Sequence, residues 1–575
     1  MKKYENITDV WRQYQQGIDY KQRINLYSTV DENYRYFQGE QWYGVKDDGL
    51  PLPVFNIIKP VGRYKVSTIM QNDTQIVYKC DNNQSPNYLR LQEIASNLTK
   101  YASTRWEKLK MDFNNEIVLQ EAFVAGCGYS FHYYDTETKE TKMDLIDITN
   151  VYPQNPNEPN IQSQESIIIS YRMSVKRAKA EAKKNGVKDW DNITSDNDTS
   201  EQAGDNSKIE VDNNDMCIVL LKMWKDDDGY VHFIKSAKTV IIQDDTNTRY
   251  KYYPLAMMIW ENNKNCFYGV SDVTGLIPNQ DYINTIASMI MMSTTFTSFP
   301  KMVYNDDLIQ NPSNQIGVAI PFTGGENKSI NQIIDYISPQ GVSNDVFNMF
   351  DKTITLTKDL MGANDGALGN INPENASGKA IIAVMEQSAT PLESIRRRFY
   401  NYIEDIALIW ADMWRVHSAD GKIINFVDDN GNEQSDYISS LEFDELMLSV
   451  KIDVGANMRY SQRATEETLT NLLQGKYIPF EWFVKLLPDG STLPKEKIMQ
   501  MLDEQKQIEQ QQQMQEQMLQ EQQMQQIPQM TDDDIDQMLA EMPEEQKQQA
   551  LQNPQILKDI ISQRLGGAMG GTMQV

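Results

Sequence analysis

Few residues of this chain could do covalent chemistry, and none stand in a pattern that chemistry requires. There are three histidines, His132, His232 and His417. None has the HExxH or HxH spacing that would close on a zinc ion. His417 continues the apolar stripe of a helix and is expected to pack. His132 and His232 fall in alternating strands and are expected at the surface or in cross-strand pairs. Ser377-Gly378-Lys379 partly matches a phosphate-binding loop. That loop needs Gly five positions before the GK glycine and Ser or Thr after the lysine. Here those positions hold Pro373 and Ala380.

The acidic triplets Asp226-Asp227-Asp228 and Asp532-Asp533-Asp534 lack calcium-loop spacing and are expected in a solvated turn and at a helix start. Arg396-Arg397-Arg398 is the one compact basic cluster. Three successive helical residues fan over about 200°, so salt bridges to carboxylates of neighbouring helices or subunits are expected before DNA contact. Cys80, Cys127, Cys217 and Cys266 are far apart with no CxxC, which predicts free thiols. No catalytic residue, metal or cofactor is therefore expected.

The chain has 575 residues, with 54 Lys plus Arg against 81 Asp plus Glu and a net charge of -27. That balance argues against clamping duplex DNA with the whole surface, which takes clustered cations. Met1-Lys2-Lys3 leads into polar residues, so no signal peptide is expected. Tyr282 to Pro300 is a run of 19 residues without a charge, but eight of them are Ser, Thr or Asn. A lipid-spanning helix needs about 20 mostly apolar residues. Close helix packing in an assembly fits this run better than a membrane.

The elements read as α+β, mainly helical. Trp11, Tyr14, Ile18 and then Val30, Tyr34, Phe37 have helical spacing. Helical material continues over Ile57 to Met70, Leu91 to Trp106 and Phe113 to Phe123. Four short strands follow, at Gly128 to Asp135, Met143 to Thr149, Glu165 to Met173 and Met216 to Trp224. Asp191 to Asn214 is expected as a solvated or disordered insertion. A helix at Tyr282 to Phe299 precedes a β-rich stretch with MVYN at Met302 to Asn305 and GVAIPF at Gly317 to Phe322. A second helix spans about Ser343 to Met361, stopped by Gly362.

A Gly- and Asn-rich loop leads from there to a long helix, Gly378 to Ser418, kinked at Pro391. A hairpin around Asp429-Asn430-Gly431, a strand at Met447 to Gly455 and helices at Thr465 to Leu473 and Trp482 to Leu487 complete the ordered part. Gln505 to Gln526 contains 13 Gln in 22 residues, either a glutamine-rich helix or disorder.

This order, with NYRYFQGEQW at Asn33 to Trp42, LPVFNIIKPVGRYKVSTIMQN at Leu52 to Asn72 and NASGKAIIAVMEQSATPLESIRRRFY at Asn375 to Tyr400, resembles portal proteins of tailed bacteriophages over roughly residues 30–490. The most specific part is the SGKA segment opening a long helix with a proline and an arginine turn. The resemblance implies a homo-oligomeric ring of about 12 subunits at one capsid vertex, passing double-stranded DNA during packaging and ejection. It implies docking of the terminase large subunit and the head-tail adaptor, contact with major capsid protein and scaffold, assembly in the bacterial host cytoplasm, residence in the virion and no membrane. A DNA-processing enzyme or motor subunit of a phage head is the alternative, and would show itself by ATP hydrolysis or DNA nicking.

On the same analogy, 1–275 is a wing with a disordered insertion at about 191–214. A first stem helix is 276–299, the clip is 300–342 and the second stem helix is 343–361. The tunnel loop is 362–378 and the long helix 379–418. Wing strands return at 419–458, crown helices are 459–487 and a Gln-rich tail is 488–575. Tunnel-loop candidates for the DNA channel are Gly362, Asn364, Gly366, Gly369, Asn370, Asn372 and Lys379. Stem-packing candidates are Ile283, Ile286, Met289, Ile290, Phe296, Phe350 and Ile354. Clip candidates for terminase and adaptor docking are Lys301, Tyr304, Asp306, Asp307 and Phe322.

Overall fold

The computed structural model describes residues 7–46, 49–71, 74–82, 86–196, 216–299, 301–309, 333–337, 341–363, 390–418, 421–427, 433–446, 448–454 and 469–486, with a few isolated positions. The chain forms two compact units, Met1–Tyr460 and Ser461–Val575.

The first unit opens with the amphipathic helix α1 (Ile7–Arg23), whose Val10, Tyr14 and Ile18 are buried. They pack with Tyr152, Ile168, Ile218, Leu220 and Ile234. At its end Lys21 is fully buried. Its ammonium donates to the carbonyls of Ile148 at 3.2 Å and Thr149 at 2.8 Å and lies 3.6 Å from the centre of the Tyr152 ring. Burial pushes its pKa well below the usual lysine range. Helix α2 (Leu26–Gln38) ends at Gly39, whose φ of 101° and N–H bonds back to Arg35 and Tyr36 close the last turn.

Two antiparallel sheets follow. In the larger, β4 (Val151–Pro153), β5 (Ser166–Ser174), β6 (Met216–Lys225), β7 (Val231–Ser236) and β8 (Ile241–Asn247) lie in chain order. One end of it is covered by α6 (Val175–Lys184) through Ala178 and Ala182. In the smaller, β2 (Cys127–Asp135) sits between β3 (Glu140–Ile146) and β9 (Leu255–Ile259). The four strands expected from sequence are all present. The insertion begins later than Asp191, however. Ile193 is buried on α6, and the Asp196 carboxylate accepts from the Ile218 N–H at 2.9 Å, so the polar run is tied down before it leaves the sheet.

Helices α3 (Ile58–Ile69), α4 (Tyr88–Lys108) and α5 (Met111–Ala125) share the main core with α9 (Glu393–Val416), which lies against strands β2 and β9. Phe399, Tyr402, Ile403, Ile406, Trp410, Met413 and Trp414 bury one face of α9. The Thr390–Leu392 turn containing Pro391 precedes it, and the expected segment 379–389 of the long helix lies outside the described residues. Strand β1 (Thr74–Cys80), which the sequence pattern did not signal, pairs with β14 (Leu448–Val454). The expected hairpin is β12 (Lys422–Val427) with β13 (Glu433–Ile438). A short helix α10 (Ser440–Glu445) follows, started by a capping box from Ser439 and Glu442.

His132 is no surface residue. It is fully buried, and Trp410 Nε1 donates to its Nδ1 at 3.1 Å. Indole is a donor only, so Nε2 carries the proton and donates to Ser130 Oγ at 3.0 Å, which also accepts from the Tyr402 hydroxyl at 2.9 Å. Burial depresses the imidazole pKa to about 3. The unfolded chain therefore binds a proton that the folded chain refuses. This contribution to stability is complete above pH ~6.5 and is lost as pH falls toward 3, at up to about 1.4 kcal/mol per pH unit. His132→Gln, which cannot titrate, is expected to flatten the acid limb of urea-unfolding stability over that window. An unchanged acid limb would refute the assignment.

Gly126 is another fixed point. It ends α5 at φ +94°, and a Cβ there would meet the Gly269 carbonyl oxygen at 2.4 Å. Gly126→Ala is expected to lower stability by about 2 kcal/mol or more, from backbone strain plus displacement of the Gly269–Val270 backbone. Thermal unfolding measures it.

The second unit is described at residues 469–486. There Leu469, Phe483 and Val484 form a small core across a helical turn and α11 (Phe480–Leu486). Tyr477 and Trp482 are exposed. The 488–575 tail lies outside the described residues apart from isolated positions.

Candidate functional site

The elements expected to build an assembly are α7 (Asp272–Ser298), the ribbon of β10 (Lys301–Tyr304) and β11 (Ile334–Ile337), and α8 (Asn344–Leu360). Helix α7 starts ten residues before Tyr282, because Ser271 caps it by accepting from the Val273 N–H, and it runs through Pro278. The proline is the seventh residue of the helix, past the first turn, so the helix gives up the bond that an N–H there would make to the Thr274 carbonyl. At 1.5 Å per residue the helix is about 40 Å long. Strands β10 and β11 pair antiparallel, so the chain turns back after α7 and returns along α8. Lys65 fixes that arrangement. Its ammonium bonds Asp272, at the start of α7, at 2.7 Å and meets the Met361 sulfur, just past α8, at 3.7 Å.

Side-chain amides hold the first half of α7 in place. Gln280 and Asn284 are buried. Gln280 accepts from the Ile57 N–H at 3.0 Å and donates to the Phe55 carbonyl at 2.8 Å. Asn284 accepts from the Phe55 N–H at 3.0 Å and donates to Gln41 at 2.6 Å. Ser288 donates to the Pro51 carbonyl at 2.6 Å. The Pro51–Phe55 crossing is thus bolted to α7 by groups that leave no buried donor idle. Phe55 also meets Phe350 of α8, edge to face, with ring centres 5.5 Å apart.

The outward face of α7 is different. Tyr282, Met289 and Phe296, spaced by seven, are 47%, 61% and 48% exposed. On α8, Met349, Leu356 and Leu360 form a similar stripe, 48%, 59% and 79% exposed. The α8 stripe lies about 100° round its helix from the face turned to its own chain, and the α7 stripe lies on nearly the opposite side from Gln280, Ile283, Asn284 and Ala287. The hydroxyls nearby make no demand on solvent. Thr294, Thr295 and Thr297 donate to the carbonyls of Ile290, Met291 and Ser293. Thr353, Thr355 and Thr357 do the same on α8.

The expected stem residues divide accordingly. Ile283 and Ile286 are buried in their own chain, Ile290, Phe350 and Ile354 are half-buried, and Met289 and Phe296 are exposed. Among the clip candidates, Lys301 opens β10, Tyr304 is 37% exposed, and Asp306 and Asp307 are exposed in the turn after it. Phe322 lies outside the described residues. So do Asn364, Gly366, Gly369, Asn370, Asn372 and Lys379. Gly362 is described, with φ +69°, and its position faces Pro391 at 3.7 Å. Residues 363 and 390, which bound the undescribed stretch, therefore lie beside one another.

Two of the three guanidiniums of the arginine turn are tied into their own chain. Arg396 is buried, donating to Glu393 at 3.2 Å and to the Thr68 carbonyl at 3.1 Å. Arg398 donates to the Trp260 carbonyl. Arg397 is exposed and pairs with Glu393 at 3.7 Å. The carboxylate they share is on their own helix, not on a neighbouring one. Among the described residues no group of side chains could hold a metal ion. No helix described is long and apolar enough to cross a membrane.

A family model described as phage P22-like portal protein matches residues 221–553, well over half of the chain. The chain belongs to the P22-like portal family. No curated protein matches it. As a portal protein it functions in phage DNA packaging and is a structural component of the capsid. The match takes in α7, the ribbon, α8 and α9 of the portal protein. Residues that sequence reasoning missed are Lys65, Asp272, Gln280 and Asn284. Their only signal was polar residues at positions that helical periodicity turns inward.

Proposed function

We propose that the portal protein closes into a ring of about 12 subunits through its stem, each subunit laying the α7 stripe on the α8 stripe of the next. The observation that carries this is the pair of exposed apolar stripes at seven-residue spacing, the period of a helix–helix seam, on helices whose hydroxyls are already satisfied. A heterologous seam of this kind repeats around a ring and leaves no stripe uncovered. Residues 276–299 and 343–361 are then the stem, 300–342 the clip, 1–275 with 419–458 the wing, and 459–487 the crown. The 379–418 helix supports the tunnel loop at 362–378.

Double-stranded DNA passes through the ring during packaging and ejection. A wall with a net charge of -27 per subunit offers few ion pairs to phosphates, so the duplex slides instead of being held. The β10–β11 ribbon, with Tyr304, Asp306 and Asp307, is the docking surface for the terminase large subunit and later for the head-tail adaptor. The wing meets major capsid protein and scaffold. Negative-stain microscopy of purified protein is expected to show annular particles with a central hole; compact monomers at every concentration would refute the reading. Deleting residues 364–378 is expected to leave the ring intact and to lower packaged DNA at least tenfold. Unchanged packaging would remove that loop from the DNA path.

A further inference from the structure

The chain as a whole carries 81 Asp plus Glu against 54 Lys plus Arg, but one exposed helix reverses that balance. Over residues 175–188, α6 and the turn after it hold Lys176, Arg177, Lys179, Lys183, Lys184 and Lys188 against Glu181 alone. Glu181 is itself bound to Lys235 at 2.8 Å. In sequence the cations are broken up by alanines, and the helical period gathers them. Ala178 and Ala182 form the buried side of α6. At 100° per residue the five cations of the helix fall within about 160° on the opposite, outward side.

Lys176, Arg177, Lys183 and Lys184 are exposed there, as is Lys188 beyond the last turn. Lys176, Lys183 and Lys188 make no ion pair among the described residues; Lys183 lies over the Trp190 ring at 5.3 Å. Lys179 pairs with Asp191 at 2.8 Å, and Arg177 shares its field with Asp144. Lys184 comes only to 3.9 Å from Glu137, with both side chains at least 80% exposed. Helix stability does not account for this face. Lys176 and Arg177 sit in the first turn, where the helix dipole disfavours cations, and no acid stands there to offset them.

The face has the layout of a phosphate-backbone contact. Lys176 and Arg177 at one end and Lys183 and Lys184 at the other are about 10 Å apart along the axis, comparable with the roughly 12 Å width of the duplex major groove that two phosphate rows flank. Ala180, at the middle of the face, is exposed and small, so it permits close approach and reads no base edge. Stacking platforms for a single strand need open aromatic faces, and Trp190 is already covered by Lys183. A protein that functions in DNA packaging meets duplex DNA as its polyanion.

We propose that the outward face of α6 is a sequence-independent docking site for the phosphate backbone of double-stranded DNA. It belongs to none of the stem, clip or tunnel-loop segments assigned above, so it is a contact additional to the central passage and does not depend on ring closure.

The test is fluorescence anisotropy on the full-length protein with a fluorescein-labelled DNA duplex of arbitrary sequence, titrated at several KCl concentrations. Saturable binding is expected, with log K falling against log salt at a slope of about -4.5 for five phosphate contacts. Replacing Lys176, Lys183 and Lys184 together by Gln is expected to weaken binding at least tenfold and to flatten the slope to about -2. All three side chains are exposed, so the fold and any ring seen by microscopy should persist. Replacing the exposed Lys79, Lys264 and Lys451 by Gln removes the same charge elsewhere and should leave the slope unchanged. No saturable binding, an unchanged slope in the α6 variant, or equal losses in both triple variants overturns the proposal. So does tighter binding of the matching single strand, or displacement of the duplex by poly-glutamate at equal charge, which would make the partner an acidic polypeptide.

Discussion

A single aspartate at Met289 or at Leu356 is expected to leave the chain folded and abolish the ring. Both side chains point away from their own core, so neither substitution removes a contact the monomer needs. In the seam each would lose the burial of a large apolar side chain, about 1.5–3 kcal/mol, and would set a carboxylate against hydrocarbon. Such a charge costs several kcal/mol more unless it is paired. The penalty recurs at every interface of the ring.

The two variants also distinguish a head-to-tail seam from a symmetric one. Met289→Asp spoils the α7 stripe and keeps the α8 stripe; Leu356→Asp does the reverse. Mixed together, they have one good pair of surfaces between them and nothing to extend it. Equimolar mixtures are expected to give heterodimers by sedimentation, while each variant alone stays monomeric. Homodimers of either variant, or rings from the mixture, would exclude the seam proposed.

The largest loss of stability is expected from Asp272→Ala. The Lys65–Asp272 pair has side-chain exposures of only 7% and 17%, and among the described residues Lys65 has no other ion-pair partner, its second contact being the Met361 sulfur. Removing the carboxylate strands a buried ammonium, which typically costs about 3–5 kcal/mol. Lys65→Met should cost less. The Asp272 carboxylate left behind lies in the first turn of α7, where the free N–H groups and helix dipole favour negative charge. Combining both substitutions should recover part of the Asp272→Ala loss, because no orphan charge remains. Urea unfolding of the three variants gives the order; a Lys65→Met variant less stable than Asp272→Ala would contradict it. Since the pair ties α3 to the start of α7 and the end of α8, the damage should appear in the stem.

Local pattern located most elements, and the reason is period. Val30, Tyr34 and Phe37, or Phe399, Ile403, Ile406 and Trp410, recur at three and four because one helical face is apolar, whatever that face eventually meets. The strands at Cys127–Asp135 and Ser166–Ser174 were legible from β-branched and aromatic runs. Strand β1 was not. Thr74–Cys80 is short, carries Gln75 and Lys79, and is stabilised by a partner nearly 400 residues away, to which no local window has access. His132 was misplaced for a related reason. Alternation says that a strand has two faces, and in β2 the helix α9 supplies Trp410 and Tyr402 to the face that alternation would have given to water.

The candidate site shows the same division. The uncharged run from Tyr282 to Pro300 located a helix, and the resemblance carried by NASGKAIIAVMEQSATPLESIRRRFY marked the family, from composition and local order alone. Which residues of that run face outward depended on where the rest of the chain lies. Ile283 and Met289 are equally apolar, yet the first is buried in its own chain and the second is 61% exposed. Sequence alone determined helix, strand and the family, because those rest on side-chain chemistry read within a window. Tertiary structure alone decided which apolar faces remain uncovered and which buried polar groups, Gln280, Asn284 and Lys65, are satisfied. Burial and hydrogen bonding are properties of pairs, and the partners are set by the fold.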